Sequence, residues 1–394
     1  MNKALLSLAI GGFGIGLTEF VIMGILPDIA IAFDISIPKA GHFISAYAIG
    51  VVVGAPILTG LGSKWPANKV LLVLMLWFTV FNTLSAFATG YNSFLLLRFL
   101  SGLPHGAFFG IGAVVAGKLS KPGKAAQGIA IMFSGLTFAN LLGVPLGTYL
   151  GKHFTWHVSF FMVGIVGVLT VLSLQFWMPL LRKSSESNFI KEFRIFKRLE
   201  LWLIILLTTI GTGGFFAWYS YIAPLITDVA GHPTEMVSVA MILAGLGMVI
   251  GNFIGAKLAE KFSPINAIII TLVCMVICLS LNTVLASDKV MVLVMTFIIG
   301  TVTFCLSTPI QVAIINASKG SETLGSSLNQ SAFNIGNASG AFFAGIPIAH
   351  GYAYTSADWV GAAMAATGVL IAILIVVLRK KQVILSQFKT DNAL

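Results

Sequence analysis

The sequence predicts an all-α integral membrane protein whose twelve transmembrane helices form two six-helix bundles. Three observations lead to this prediction. The chain of 394 residues is 57% hydrophobic and only 9% charged, whereas a soluble globular chain is about 25% charged. Runs of about 20 apolar residues, the length that crosses a bilayer, recur along the chain. One polar, basic stretch separates six of these runs from the other six.

The apolar runs are the expected membrane-spanning helices. Their approximate bounds are 5–26, 40–61, 69–88, 92–117, 125–150, 157–180, 200–226, 237–258, 265–286, 289–314, 323–348 and 357–378. This layout predicts an N-terminal bundle over 1–180, a cytoplasmic linker over 181–199, and a C-terminal bundle with a short cytoplasmic tail over 200–394. Within the linker, Phe189, Phe193 and Phe196 recur at helical spacing among basic residues, which predicts an amphipathic helix on the inner leaflet.

The net charge of +10 is explained by membrane topology. The basic residues stand singly between apolar runs and form no continuous face, so we expect no nucleic-acid partner. With the N-terminus inside, nineteen basic residues fall in cytoplasmic segments against three outside. We expect a multi-pass protein of the bacterial inner (plasma) membrane, and the positive-inside rule predicts that both of its termini lie in the cytoplasm.

The first span contains a carboxylate with no basic residue near it in sequence. Glu19 lies in the run GGFGIGLTEFVIMGILPDIA, residues 11–30. A charge inside a membrane span costs at least a few kcal/mol, so an ionisable residue there is a functional candidate. A solvated position near the outer end of the helix is the alternative that the sequence leaves open.

A basic residue in the fourth span can reach the same depth. Glu19 precedes Pro27, near the outer end of its span, by eight residues, or about 12 Å, and Arg98 follows Tyr91 by seven, or about 10 Å. Burial and a neighbouring cation both alter a carboxylate's affinity for protons, so a movement that separates or hydrates the pair would change proton binding. We therefore predict Glu19 as the proton carrier, Arg98 as the group that tunes it and His105 as an accessory; a purely structural pair is the alternative.

The second half of the chain is expected to carry no buried charge, so its contribution to a substrate cavity would come from neutral groups. Amides and hydroxyls in a membrane span point to partner helices or to a water-filled cavity. The candidate cavity residues are Phe215, Trp218 and Tyr219 in the seventh span, Thr308 and Gln311 in the tenth, and Gln330, Asn334 and Asn337 in the eleventh. Lipid-facing aromatic residues and hydrogen bonds between helices are the alternatives.

The two halves show one short internal repeat. Leu61-Gly62-Ser63-Lys64, between the second and third spans, aligns with Leu258-Ala259-Glu260-Lys261, between the eighth and ninth. This pairing falls where a duplication of six spans places it.

These loops resemble the G-x-x-x-D-R/K-x-G-R/K signature of the major facilitator superfamily. Residues 95–110, LLLRFLSGLPHGAFFG, resemble its R-x-x-x-G segment, and residues 140–151, NLLGVPLGTYLG, resemble its antiporter motif. With TEFVIMGILPDIA and SAYAIGVVVGAP, they are similar to the arabinose-efflux-permease type of drug:proton antiporter. The resemblance implies the major facilitator fold and export of a small solute, such as a sugar, a nucleobase-like or a drug-like compound, in exchange for protons.

The resemblance assigns these loops to a cytoplasmic latch that holds the outward-facing state. This sequence departs from the signature because Thr59 replaces its glycine, Ser63 its acid and Pro66 its second glycine, whereas the acid of the second half is kept as Glu260. The expected latch is therefore one-sided. Its candidate residues are Ser63, Lys64, Lys69, Glu260 and Lys261; for the lysines, anchoring on the cytoplasmic side alone is the alternative.

The fifth span combines a glycine stripe with a proline. Gly135, Gly143, Gly147 and Gly151 share one helix face, which allows close approach of a neighbouring backbone. Pro145 removes a helical hydrogen bond and predicts a kink. This face suits a helix that moves against its neighbour, and tight static packing is the alternative.

A transporter is the function that these features favour. The sequence has no P-loop or dinucleotide fingerprint, so we expect an ion gradient to drive transport, no cofactor and no metal. The expected partners are a small-molecule substrate, protons and the lipid bilayer, and the expected state is a monomer. The alternative is a membrane protein without transport, such as a membrane enzyme or a sensor, although no nucleophile-base set or soluble output domain is evident.

Overall fold

The computed structural model describes residues 3–35, 37–181 and 193–391. In these ranges the chain forms twelve long helices, which we number in chain order. They are α1 Lys3–Ala32, α2 His42–Gly62, α3 Ala67–Ser85, α4 Tyr91–Leu119, α5 Ala125–His153, α6 Trp156–Trp177, α7 Leu199–Tyr219, α8 Glu235–Phe262, α9 Pro264–Leu285, α10 Lys289–Ala317, α11 Glu322–Ala349 and α12 Ser356–Asp391. Helices satisfy their own backbone polar groups, as a hydrocarbon environment requires.

Each of the twelve predicted spans corresponds to one of these helices. Eleven of the helices in the described residues are long and apolar enough to cross a membrane; α11 is not among them. It has the length, 28 residues, but its sequence is rich in serine and asparagine. The seventh span is shorter than predicted because α7 ends at Tyr219, and the chain turns before a short helical segment, Ile222–Val229.

The predicted amphipathic helix of the linker falls largely outside the described residues. Its described part is the short 3₁₀ helix Phe193–Lys197. Arg198 follows it and donates hydrogen bonds to the carbonyl groups of Ala317, at 3.0 Å, and Lys319, at 2.9 Å. The start of the second half is therefore fixed to the end of α10.

Two helix pairs, one in each half, are built alike. α2 packs against α4, and α8 packs against α10, through glycines that face backbone carbonyl groups with no room for a Cβ atom. The pairs are Gly50 with Phe99 and Gly54 with Leu103 in the first half, and Gly247 with Phe297 and Gly251 with Thr301 in the second. The alignment that pairs Ser63 with Glu260 also pairs Gly50 with Gly247 and Gly54 with Gly251. The internal repeat therefore extends from the loops into the helices.

The glycine stripe of α5 lies against α1, the helix that carries Glu19. Gly135 faces the backbone of Ala9, and Gly147 faces Val21 and Met162. The helix is continuous through this region but widens to a π-type turn over Ala139–Gly143, just before Pro145. Because proline has no N–H to donate, the turn before it is free to widen.

Burial separates central from peripheral helices. Within their most apolar segments, 72% of α1 and 83% of α4 is buried, compared with 33% each for α3, α9 and α12. One large apolar cluster consists of buried side chains from the first half, and another of buried side chains from the second. The helices that carry Glu19 and Arg98 are thus the most enclosed of the first half.

Candidate functional site

A cavity lies between the two halves of the chain. Its walls come from α1, α4 and α5 of the first half and from α7, α10 and α11 of the second. Six phenylalanines supply most of its apolar lining: Phe20, Phe133, Phe215, Phe216, Phe304 and Phe333. The polar lining is formed by Glu19, His105, Thr212, Thr303, Ser307, Gln330 and Asn334.

Glu19 and Arg98 occupy the same level but face different directions. Glu19 lines the cavity and is partly exposed there, whereas Arg98 is fully buried. Arg98 donates from Nη1 to the Thr18 hydroxyl at 3.0 Å and from Nη2 to the Thr18 carbonyl at 3.3 Å. Successive residues of a helix point about 100° apart, so Thr18 meets Arg98 while Glu19 faces the cavity.

Charge interaction connects the two groups without direct contact. In the described residues, the ion pairs are Lys124 with Glu260 and Arg379 with Glu200, and neither includes Glu19. Glu19 and Arg98 nevertheless lie within range of each other's electrostatic field. A small movement of α1 against α4 would change the strength of this interaction, because it depends on distance and on local hydration.

A buried polar network surrounds Arg98. The Thr18 hydroxyl, which accepts from Arg98, donates to Asn82 Oδ1 at 2.5 Å, and Asn82 donates to the carbonyl of Phe78 at 2.9 Å. This links α1, α3 and α4 in the interior of the first half. The sequence analysis identified Arg98, but it identified neither Thr18, which bonds to Arg98, nor Asn82, which bonds to Thr18.

An aromatic residue of α2 connects Arg98 with His105. The Arg98 guanidinium lies 4.4 Å from the centre of the Tyr47 ring, in a cation–π arrangement. The Tyr47 hydroxyl is 3.1 Å from His105 Nδ1. His105 lines the same cavity as Glu19, so Tyr47 joins the buried cation to the cavity wall.

The second half has a neutral network in its interior. Thr208 of α7 donates to Asn329 Oδ1 at 2.8 Å, and Asn329 donates to Gln311 Oε1, also at 2.8 Å. Gln330 donates to the same Gln311 oxygen at 3.4 Å, and Gln311 donates to the Ser326 hydroxyl. The network links α7, α10 and α11, and Gln330 carries it to the cavity.

The predicted cavity residues of the second half are divided between the cavity and the packing beside it. Phe215, Gln330 and Asn334 line the cavity. The others are not among its lining residues: Trp218 and Tyr219 are buried next to Phe215, Thr308 donates to Asn252 at 3.1 Å, Gln311 is the centre of the amide network, and Asn337 is half-buried on α11.

The expectation that no span of the second half carries a buried charge is wrong. Asp358, in the first turn of α12, is fully buried, and Asn282 of α9 donates to its carboxylate. Asp358 is the second residue of the predicted span 357–378, and the sequence pattern alone does not show which helix ends are enclosed. The fold covers that end with neighbouring helices.

Hydrogen bonds join the two halves at one side of the molecule, the side at which α5 and α11 begin. The sequence predicts this side to be cytoplasmic. In the described residues, the bonds between halves, apart from those of Glu260, run from Thr59 to the Ser327 hydroxyl at 2.7 Å, from Ser331 to the Val52 carbonyl at 3.2 Å, and from Asn252 to the Ala130 carbonyl at 2.7 Å. These contacts close that side of the cavity.

Glu260 makes the strongest connection at this side. Its carboxylate accepts from Lys124 Nζ at 3.0 Å, and from the backbone N–H and side-chain amide of Gln127 at 3.3 and 3.1 Å. It thereby caps the first turn of α5, where a negative charge is favourable. Ser63 instead donates to the carbonyl of Gly60 in its own helix, at 2.8 Å.

The three lysines assigned to the latch are exposed. Lys64 lies on the surface between α2 and α3, and Lys69 lies on the surface in the first turn of α3. Lys261 lies with its ammonium group 5.1 Å from the ring centre of the adjacent Phe262. The charged contact between halves is thus made by Lys124, which sequence reasoning did not include.

Comparison with known proteins is consistent with this architecture. The sequence profile of the Major Facilitator Superfamily matches residues 8–341. The chain is 39% identical over 354 residues to an Escherichia coli (strain K12) protein named "Putative transporter AraJ", covering 90% of each. It is also 39% identical over 373 residues to "Inner membrane transport protein YdhP" of the same strain, covering 94% of this chain and 95% of that protein.

The chain belongs to the major facilitator superfamily. The crystal structure of the Escherichia coli fucose:proton symporter FucP matches it with a TM-score of 0.76 and 14% sequence identity, covering 95% of this chain and 99% of FucP. At this identity the likeness establishes the fold, which is the superfamily's arrangement of twelve transmembrane helices in two six-helix bundles. The resemblance stated from the sequence motifs is confirmed.

Several lining residues of this major facilitator protein were missed by sequence reasoning. Thr303 and Ser307 lie four residues apart on α10, the spacing that identified the polar stripe on α11, so this signal was present. The five lining phenylalanines other than Phe215 carried no such signal. Phenylalanine is common in this chain, with 30 residues, and only the packing decides which rings face the cavity.

Proposed function

We propose that this membrane transporter of the major facilitator superfamily exports a small solute in exchange for protons, with Glu19 as the proton carrier. One observation carries the proposal. Glu19 is a carboxylate on the wall of a cavity between the two halves, partly exposed to that cavity and in electrostatic range of a buried arginine. A group in this position can bind either a proton or the solute. If binding of one excludes the other, alternating access exchanges a proton for a solute molecule.

Arg98 and His105 are the proposed accessory groups. Arg98 is fixed by Thr18 and by the Tyr47 ring, so its charge has a defined position relative to Glu19. His105 adds a second titratable side chain to the cavity wall. In this arrangement, movement of α1 relative to α4 changes the field at Glu19 and hence its occupancy by a proton.

Alternating access follows from movement of the two bundles, 1–180 and 200–394, about the cavity, with 181–199 as their linker. The hydrogen bonds between halves lie at the side that we predict to be cytoplasmic, which supports an outward-facing state closed by Glu260 and its partners. We propose that breaking these bonds opens the cytoplasmic side. Both termini face the cytoplasm in this scheme, and reporter fusions at Gly231 that score as external would support it.

The cavity lining favours one part of the proposed substrate range. Six phenylalanine rings favour a solute with an apolar or aromatic surface. The carboxylate and the amides can each bind a polar group of that solute, so a few polar groups on it would be sufficient to orient it. We rank drug-like and nucleobase-like solutes above sugars on this basis. Thermal-shift measurements on purified protein with sugars, nucleobases and lipophilic cations would separate these classes.

A flux assay with Glu19→Gln tests the central proposal. Purified protein in proteoliposomes should move a solute identified by thermal shift against its gradient when a pH gradient is imposed. Glu19→Gln should still bind that solute but should lose uphill transport, falling to the level of protein-free vesicles. Glu235→Gln, which removes an exposed carboxylate in the first turn of α8, is the matched control. Normal proton-driven transport by Glu19→Gln would exclude Glu19 as the carrier.

A further inference from the structure

Two asparagines lie near the ends of corresponding helices, α3 in the first half and α9 in the second. Asn82 lies three residues before the end of α3, and Asn282 lies three residues before the end of α9. Each is followed by a threonine. Both side chains are buried, with 0% and 1% of their surface exposed. A buried amide requires partners for its N–H groups and for its oxygen.

The amide of Asn82 has partners on both sides. Its Nδ2 donates to the Phe78 carbonyl at 2.9 Å, and its Oδ1 accepts from the Thr18 hydroxyl at 2.5 Å. The oxygen therefore receives an O–H group. This is the arrangement in the first half with which Asn282 can be compared.

The amide of Asn282 is satisfied on one side only. Its Nδ2 lies 3.2 Å from each carboxylate oxygen of Asp358. Its Oδ1 is buried and has no hydrogen-bond partner in the described part of the chain. Leaving such an oxygen without a donor costs about 1–3 kcal/mol, so a hydrogen-bond donor to Asn282 Oδ1 would stabilise this site.

Asp358 forms no ion pair in the part of the chain that the structure describes. The helices packed against α12 are α7, α9 and α11. The titratable side chains that these helices and their flanking residues carry at this end are Tyr219, Tyr221, Asp288, Lys289, His350, Tyr352 and Tyr354; Asp288 caps α10, the Lys289 side chain lies beside Gly231, and His350 is exposed and bonded to its own helix. An ionised carboxylate here would be a buried charge without a counter-ion, which is strongly unfavourable.

We propose that Asp358 binds a proton and forms an acid–amide pair with Asn282. The O–H of the protonated acid donates to Asn282 Oδ1, and Asn282 Nδ2 donates to the other carboxyl oxygen. The acid then supplies to Asn282 what the Thr18 hydroxyl supplies to Asn82. This is a proton-binding site in the second half, and it is separate from Glu19 and independent of whether Glu19 carries protons.

The acid–amide pair lies at a contact between two helices, so a change in the packing of these helices would affect it. It joins the end of α9 to the first turn of α12. Hydration of this contact would release the proton, since an ionised carboxylate is stabilised by water. The second half would then take up and release a proton as these two helices change their packing.

Infrared spectroscopy can observe this proton directly, because a protonated carboxylic acid has a carbonyl stretching band that a carboxylate lacks. The measurement uses the full-length Glu19→Gln protein in lipid at neutral pH, which removes the contribution of Glu19. We expect an acid band there and its complete loss on adding Asp358→Asn. Adding Asp288→Asn instead, at an exposed aspartate of the same half, should leave the band unchanged.

A second variant keeps the test decisive if Asp358→Asn fails to fold. Asn282→Leu removes the amide but leaves the acid, so the band should persist and shift toward that of an acid without a hydrogen bond. An acid region of the spectrum that Asp358→Asn leaves unaffected would overturn the proposal, and if Asp358→Asn does not fold, an acid region that Asn282→Leu leaves unaffected would overturn it. A band that sodium ions abolish would also overturn it, since the site would then bind a metal cation.

Discussion

The two halves of this transporter share a backbone arrangement and differ in the chemistry built on it. Gly102 of α4 faces the carbonyl of Tyr47, and Gly300 of α10 faces the carbonyl of Ala244. These equivalent contacts align α4 with α10. Three chemically active residues of the first half then have neutral counterparts: Tyr47 corresponds to Ala244, Arg98 to Thr296 and His105 to Thr303.

This difference separates what the duplication preserves from what it leaves free to change. The close glycine contacts are preserved because a helix pair at this distance has no room for a Cβ atom. The duplication also preserves which helix positions face the cavity, since the aligned residues His105 and Thr303 both line it. Their side chains are not constrained by packing alone, so at these aligned positions the first half carries titratable groups and the second half carries hydroxyls.

The largest expected effect is a loss of stability in the aromatic cluster of the second half. Trp218 is 1% exposed and packs against Phe215 and Tyr219, outside the cavity lining. Trp218→Ala should lower the free energy of unfolding by about 3–5 kcal/mol, while substrate affinity changes less than twofold. Gln330→Ala should show the reverse pattern. A strong loss of affinity with unchanged stability in Trp218→Ala would place Trp218 in the substrate path.

Glycine substitutions test whether the halves are built alike. Gly54→Ala and Gly251→Ala each place a methyl group against a backbone carbonyl, of Leu103 and Thr301. Each should destabilise the protein by about 2 kcal/mol, and the two effects should agree. Gly90→Ala is the control because open space surrounds that position. Unequal effects in chemical unfolding would show that the two helix pairs are not equivalent.

The latch residues offer the sharpest contrast at aligned positions. Glu260 bonds across the halves to Lys124 and Gln127, whereas Ser63 bonds within its own helix. Glu260→Gln should shift the balance between outward-facing and inward-facing states about tenfold, because it removes a charged acceptor worth about 1.5 kcal/mol. Ser63→Ala should shift it less than twofold. Spin-label distances across the cytoplasmic side measure both, and equal shifts would contradict an asymmetric latch.

The smallest expected change in stability concerns Tyr47. Tyr47→Phe keeps the ring beneath Arg98 and removes only the hydroxyl that meets His105. The cost should be about 0.5–1 kcal/mol, yet the pH profile of proton-driven transport should change because the link to the cavity wall is lost. Tyr149→Phe, which removes the hydroxyl of an exposed tyrosine, is the matched control and should leave the profile intact. An unchanged profile in Tyr47→Phe would limit Tyr47 to packing.

Particular residues show how far sequence reasoning reached. Glu19, Arg98 and His105 were identified because a charge in an apolar run is conspicuous and because helix rise converts residue number into depth. Gln330 and Asn334 were identified by their spacing on one helix face. Asn82, Thr18 and Tyr47 were missed because short neutral side chains in a span have many ordinary packing roles, and their importance follows from their neighbours.

The sequence by itself determined the membrane class, the twelve helices, the superfamily and the charged residues in the interior of the first half. These follow from composition, hydrophobic length and short motifs, which act along the chain and need no knowledge of distant contacts. The tertiary structure alone decided that Arg98 bonds to Thr18 while Glu19 faces the cavity, that Glu260 meets the start of α5, and that Asp358 is enclosed beside Asn282. Each of these contacts depends on how helices that are far apart in sequence are rotated and packed against one another. Hydrophobic patterning determines neither the rotation nor the packing.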